Sequence, residues 1–188
     1  MKIIRSSNAQ EVVLYWLIAE LNSTRFSRDL HLALNNLNCN EKIITNANLN
    51  NANENKLRLQ VLHNYRGWLD RDFNDYIWQF VELDNKDVAN LNYIDYSYWN
   101  ELSGGTHKVG LAAVNINKGL VVYNEPNNRF YSVAENIEIG KEVPPIIVVS
   151  NNDEKQGEIL EGHLRATGYV LASTDKRPLT AVWGRLTK

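Results

Sequence analysis

A single cysteine, Cys39, occurs among the 188 residues of the chain. One thiol cannot form an internal disulfide, and it cannot supply the several thiolates of a cysteine-based zinc site. The N-terminus also lacks a long apolar segment, since no hydrophobic run of signal-peptide or membrane-spanning length follows residues 1–5. These absences lead us to expect a soluble cytoplasmic protein with no membrane association.

The chain has no strong excess of charge of either sign. Its formal net charge is −2 and its isoelectric point is about 6.1. Nucleic-acid-binding domains usually carry a basic patch or stripe, so the net charge does not support a nucleic-acid partner, although a local patch stays open. Hydrophobic residues make up 44% of the sequence and include five tryptophans, which is enough to fill a core of one large domain or two small ones.

The N-terminal region, residues 1–70, is predicted to be mainly helical. Ser7 and Gln10 have the spacing of a capping box at the start of a first helix, and Ser27 starts a second. Residues 35–55 contain ten asparagines, which favour turns, so this tract predicts a loop that is exposed and mobile over residues 46–55. Apolar spacing returns over residues 56–69 and predicts a third helix.

Histidines provide one metal hypothesis in this region. His31 and His63 could act as a pair of ligands, but no further ligands stand at metal-site spacing near them. Surface or helix-capping histidines are therefore the favoured interpretation.

Residues 71–105 form an aromatic-rich connecting segment. Residues 76–83 are rich in aromatic and β-branched side chains and predict a strand, and residues 86–91 predict a short helix. Tyr93, Tyr96, Tyr98 and Trp99 follow within seven residues; they either stack on bases or plug a core, and the absence of interleaved Lys or Arg favours the core. A flexible turn at residues 103–106 marks the boundary with the last domain.

The C-terminal part, residues 106–188, alternates strand-like and helix-like segments. Strands are predicted over residues 107–116 and 119–123, and residues 146–149 form a β-branched run typical of a strand buried on both faces. A second short strand ends before Gly162, and residues 164–172 have helical spacing. The fold class is therefore α+β, with a mainly helical region before this domain, and the resemblance described below implies that the sheet of the domain is mixed.

The residues around Gly162, where a predicted strand passes into a predicted helix, are the candidates for a binding or catalytic site. A helix start presents unpaired backbone N–H groups and the positive end of the helix dipole, which together bind anions. Arg165 lies in the first turn, where a cation is unfavourable unless it meets a carboxylate or phosphate, and His163 stands beside it. In the alternative interpretation, Arg165 pairs with Glu161 or Glu158, and His163 caps a backbone group.

The segment GHLRATGYVLA, with Gly162-His163-Leu164-Arg165 at its start, resembles the glycine-x-x-arginine box of the ParB N-terminal and sulfiredoxin superfamily. The resemblance covers about 80 residues and includes a preceding helix ending near Gly140, the strand over residues 146–149 and a closing strand at residues 179–186. It implies a ParB/sulfiredoxin-like fold that binds a nucleoside triphosphate with Mg²⁺.

By this resemblance, Gly162, His163, Arg165 and Thr167 would bind the nucleotide phosphates, and Glu161 and His163 would be catalytic. The residues of a metal site stay unknown. The implied function is a nucleotide-binding protein of a plasmid, phage or defence locus, acting as an NTPase or as a nuclease accessory. Leu164 replaces a basic residue of partition proteins, which favours the alternative of a catalytically inactive protein-interaction module on the same fold. A nucleotide-dependent transferase toxin is a further alternative.

Overall fold

The structure is a computed structural model that describes residues 1–67, 69, 71–151, 156–172 and 176–187. Within them, a six-stranded mixed sheet combines with helices, so the predicted α+β class is confirmed. The strands are β1 (Lys2–Ser6), β2 (Tyr76–Leu83), β3 (Asn92–Tyr93), β4 (Ile146–Ser150), β5 (Glu158–Glu161) and β6 (Leu179–Leu186). The helices are α1 (Ala9–Leu21), α2 (Ser27–Asn36), α3 (Lys42–Thr45), α4 (Ala52–Tyr65), α5 (Asn85–Ala89), α6 (Ser97–Leu102), α7 (Val109–Asn117), α8 (Asn128–Glu138) and α9 (His163–Leu171), with a 3-10 turn at Phe73–Asp75.

The sheet has the order β1-β2-β6-β4-β5-β3, which places β4 in its interior. β4 runs parallel to β6 and antiparallel to β5, and β3 runs parallel to β5. All five residues of β4 are buried, as the β-branched run over residues 146–149 predicts. This strand is the centre of a core to which β2, α7 and α9 also contribute.

The chain divides into two compact units. One comprises Ser7–Tyr76, and the other comprises Met1–Ser6 with Ile77–Lys188. The second unit contains residues 106–188 and also β2, α5, β3 and α6, which lie in the segment that the sequence analysis treated as connecting. In the part of the chain that the structure describes, no helix is both long and apolar enough to cross a bilayer.

Two strand predictions are wrong. Most of the first predicted strand, residues 107–116, lies in the helix α7 (Val109–Asn117), whose residues Val109, Ala112, Ala113 and Ile116 are buried at helical spacing. Residues 119–123 form a turn, since Gly119 and Tyr123 both have positive φ angles that a strand excludes. The apolar run around α7 is compatible with the periodicity of a strand and with that of a helix. In the folded protein it packs against α9 as a helix.

The asparagine-rich tract is more ordered than its composition predicts. Helix α4 begins at Ala52, four residues before the predicted start, because the Asn51 side chain accepts hydrogen bonds from the backbone N–H groups of Asn53 and Glu54. The buried guanidinium of Arg58 donates to the carbonyl oxygens of Ile43 (2.6 Å) and Asn48 (3.2 Å). The prediction of a mobile loop extending through residue 55 is therefore wrong for the residues within α4.

The cap of the first helix also differs from its prediction. Asn8 rather than Ser7 is the N-cap residue of α1, and its side chain accepts a hydrogen bond from the Glu11 N–H at 3.0 Å. Ser7 instead donates its hydroxyl to the Glu11 carboxylate. The second helix begins at Ser27 as predicted.

Candidate functional site

Gly162 is the single residue between β5 and α9, at the place where the sequence predicts an anion site. Gly162 has φ +99° and ψ 21°, a left-handed conformation that side chains other than glycine rarely adopt. A Cβ atom at this position would stand 2.5 Å from Ile146 Cγ2 and 3.0 Å from Arg165 Nη2. Glycine is therefore required here both by the backbone angle and by the approach of a core side chain from β4.

Arg165 lies in the first turn of α9 and points back toward the strand that precedes it. Its Nη2 group donates to the Glu161 carboxylate and, at 3.2 Å, to the carbonyl oxygen of Pro145. The two charged side chains are only 14% and 16% exposed. Pairing of Arg165 with Glu161, the alternative interpretation of the sequence, is thus the arrangement observed, and it ties the end of β5 to the start of α9 and to the residue before β4.

His163, the first residue of α9, is covered by aromatic rings. Its imidazole stacks on the indole of Trp99 at a centroid distance of 5.1 Å and an interplanar angle of 11°. Tyr93 stacks on the same indole at 4.7 Å and lies 5.9 Å from the imidazole. The three rings are thus close to one another and nearly parallel, and we call Tyr93, Trp99 and His163 the aromatic layer.

Thr167 is fully buried and contacts two members of the aromatic layer, Tyr93 and His163. Its hydroxyl donates to the His163 carbonyl oxygen at 2.7 Å and accepts from the Tyr93 hydroxyl at 2.6 Å. Burial of the Tyr93 phenol raises its pKa, which keeps it a hydrogen-bond donor. The Thr167 hydroxyl therefore both donates and accepts a hydrogen bond inside the protein, and its contact with a phosphate stays a prediction.

Of the residues predicted for the site, the structure brings Glu161, Gly162, His163 and Arg165 together at one junction. Sequence reasoning missed Tyr93 and Trp99 as their neighbours. The aromatic density of residues 93–99 was visible, but the Tyr93–Thr167 hydrogen bond spans 74 residues of sequence. Local spacing carries no signal for such a contact.

His31 has partners close to it in the structure. His31 Nε2 lies 3.1 Å from the Glu41 carboxylate, and His31 Nδ1 lies 2.6 Å from the Ser27 carbonyl oxygen. Within the described ranges, no group of three or more His, Cys, Asp or Glu side chains could hold a metal ion.

No protein-family model matches the chain, no curated protein matches its sequence, and no solved structure matches its fold.

Proposed function

We propose that the chain is a ParB/sulfiredoxin-like nucleotide-binding protein whose phosphate site is the start of α9. The observation that carries this proposal is the left-handed glycine between β5 and α9, with a guanidinium beside it. The N-cap residue Gly162 has no side chain to cap this helix, and a helix start carries the positive end of the helix dipole, which favours an anion. Arg165 supplies the charge that a phosphate requires.

Phosphate binding at this place involves an exchange of partners. The Glu161 carboxylate forms an ion pair with the Arg165 guanidinium, so a phosphate that binds Arg165 competes with that carboxylate. Glu161, once displaced, would be available to contact Mg²⁺ or to act as a base. A carboxylate together with nucleotide phosphate oxygens and water is a usual way for a protein to hold Mg²⁺, so the residues present fit a magnesium–nucleotide ligand.

A second candidate is the protein-interaction module that keeps the fold without phosphate chemistry. The engagement of Arg165 by both Glu161 and the Pro145 carbonyl oxygen favours it, because the guanidinium already has a structural role. Thr167 strengthens this alternative, since its hydroxyl belongs to the core.

The deciding experiment is a thermal-shift titration of nucleoside triphosphates with and without Mg²⁺. A nucleotide at 100 times its dissociation constant should stabilise the fold by about 2.7 kcal/mol. Arg165→Ala should weaken that binding by about 1.5–3 kcal/mol, and Arg165→Lys should recover only part, because it keeps the charge but loses the planar fork.

The matched control is Arg177→Ala, which removes an exposed arginine outside the junction. It should leave nucleotide binding unchanged. If no nucleotide shifts the melting temperature, or if Arg165→Ala unfolds the protein before any ligand is added, the arginine is a structural partner of Glu161. The interaction module then replaces the nucleotide-binding proposal.

A further inference from the structure

Helix α7 exposes an apolar face with no charged residue on the helix. Its sequence from Val109 to Asn117 lacks Asp, Glu, Lys and Arg. Leu111 and Val114, one turn apart, are 45% and 44% exposed. Surface helices of globular proteins normally carry charged side chains on the face opposite the core, so this outer face is suited to contact another surface.

The loop that follows α7 extends the apolar face. Leu120, Val121 and Tyr123 are 38%, 50% and 61% exposed. The loop is nevertheless held in place, because the Leu120 N–H donates to the Asn115 carbonyl oxygen at 3.0 Å and the buried Asn127 side chain donates to the Leu120 carbonyl oxygen at 2.7 Å. The hydrophobic side chains are therefore presented on an ordered backbone, which lowers the entropy cost of binding.

Tyr123 stands at the tip of this loop in an unfavourable backbone conformation. It has φ +50° and is followed by Asn124 at φ +58°, between the bridged residues Val122 and Glu125. Successive positive φ angles suit asparagine and glycine, whereas a bulky tyrosine there is strained. The turn itself does not need a tyrosine, and strain of this kind concentrates where a side chain has a binding role.

Helix α8 completes the surface through Tyr131, which is 39% exposed and donates its hydroxyl to the Ile116 carbonyl oxygen of α7 at 3.2 Å. We call the whole set the α7 patch; its members are Leu111, Val114, Leu120, Val121, Tyr123 and Tyr131. Six large side chains, each about half exposed, present on the order of 500 Å² of surface, near the upper end of what monomers expose.

We propose that the α7 patch is the interface of a homodimer in which two copies of this chain meet around a two-fold axis. A standard interface buries about 800 Å² per partner and is roughly 56–65% apolar, so it needs about 450–520 Å² of apolar surface from each side. The α7 patch supplies that area. Interfaces of this type are also enriched in tyrosine, and Tyr123 and Tyr131 are two of the six members.

The charges at the border of the patch are self-complementary. Lys118 precedes the apolar loop residues and Glu125 follows them, so the loop has one charge of each sign at its ends. A two-fold axis through the loop reverses its direction in the second copy and brings Lys118 of one copy toward Glu125 of the other. Glu125 also has an exposed pairing with Arg129 at 3.4 Å, which is weak enough to be exchanged.

Analytical ultracentrifugation of the full chain over the micromolar range tests the proposal, and a dimer is expected. Tyr123→Asn should weaken dimerisation by roughly 30-fold or more, the effect of removing an interface anchor. This variant keeps or improves the fold, since asparagine suits the left-handed conformation better than tyrosine. Val121→Ser should act in the same direction, and Ile139→Ser, at a 70% exposed position at the other end of α8, should change nothing.

A charge exchange tests the two-fold geometry itself. Lys118→Glu and Glu125→Lys should each weaken the dimer, and the double variant should restore it, because each new charge again faces its opposite. A wild-type chain that stays monomeric, or a dimer insensitive to Tyr123→Asn and Val121→Ser, overturns the proposal. A double variant that fails to restore the dimer overturns the two-fold arrangement.

Discussion

Gly162 is constrained in two independent ways, and each has an energetic consequence. A residue with a Cβ loses about 1–2 kcal/mol in a left-handed conformation. The new atom would also collide with Ile146 Cγ2 at 2.5 Å, and such overpacking costs about 1–3 kcal/mol.

We therefore expect Gly162→Ala to lower the free energy of unfolding by about 2–5 kcal/mol. Urea denaturation followed by tryptophan fluorescence measures this change. The control is Gly119→Ala, where φ is +86° but nothing lies within 4 Å of the added atom, so only the conformational cost remains. Equal losses in the two variants would show that the Ile146 collision is relieved by repacking.

His31 is the residue for which the structure predicts a pH dependence. Its pKa is raised above the ordinary value of 6.5, first by the hydrogen bond to the Ser27 backbone and then by the Glu41 carboxylate. A raised pKa in the folded state contributes stability that is present below the unfolded pKa and is lost as the pH rises through the folded pKa. Because the side chain is 46% exposed, we expect less than about 1 kcal/mol.

The melting temperature of His31→Gln should therefore fall below that of the wild type at about pH 5.5, and the difference should shrink at about pH 8.5. His63→Gln, at an exposed position on α4, serves as the control. A difference that is independent of pH would remove the titration of His31 as its cause.

At the scale of elements, Arg58 organises the segment between α3 and α4. Arg58 lies on α4 and is 1% exposed. Its guanidinium donates hydrogen bonds to the carbonyl oxygens of Ile43 and Asn48 and to the Asn55 side chain. An arginine side chain carries five N–H donors, so one buried guanidinium can satisfy several carbonyl oxygens of a turn-rich segment.

Arg58→Met should destabilise the unit formed by Ser7–Tyr76 by about 3 kcal/mol, since it removes the donors to the Ile43 and Asn48 carbonyl oxygens and the Asn55 side chain. Limited proteolysis should then cut residues 46–51 faster than in the wild type. Arg28→Met, which replaces an exposed arginine on α2, should have an effect below about 0.5 kcal/mol. An unchanged cleavage rate in Arg58→Met would contradict the role given to the guanidinium.

At the scale of the whole molecule, the two compact units each have buried hydrophobic residues of their own. Trp16, Leu17 and Leu62 are buried in the unit Ser7–Tyr76, whereas β4 lies in the hydrophobic core of the other unit. Units with separate cores open by separate local unfolding reactions.

Amide hydrogen exchange should show that the two units unfold separately. Gly162→Ala is expected to accelerate amide exchange in β4, β5 and α9, and Arg58→Met is expected to accelerate it in α3 and α4, each with little change in the other unit. The measurement is exchange mass spectrometry of both variants beside the wild type. Uniform acceleration along the chain in both variants would mean that the protein unfolds as one cooperative body.

The sequence alone determined the features that depend on neighbours along the chain. The β-branched run over residues 146–149 can only be satisfied by burial on both faces, and Gly162 permits a turn from strand to helix that other residues resist. The tertiary structure decided what depends on distant partners. It selected a helix for the apolar run of α7, joined Arg165 to the carbonyl oxygen of Pro145, and stacked Trp99 on His163. Periodicity and composition describe each segment separately, whereas these contacts join segments whose relative positions only the folded sheet fixes.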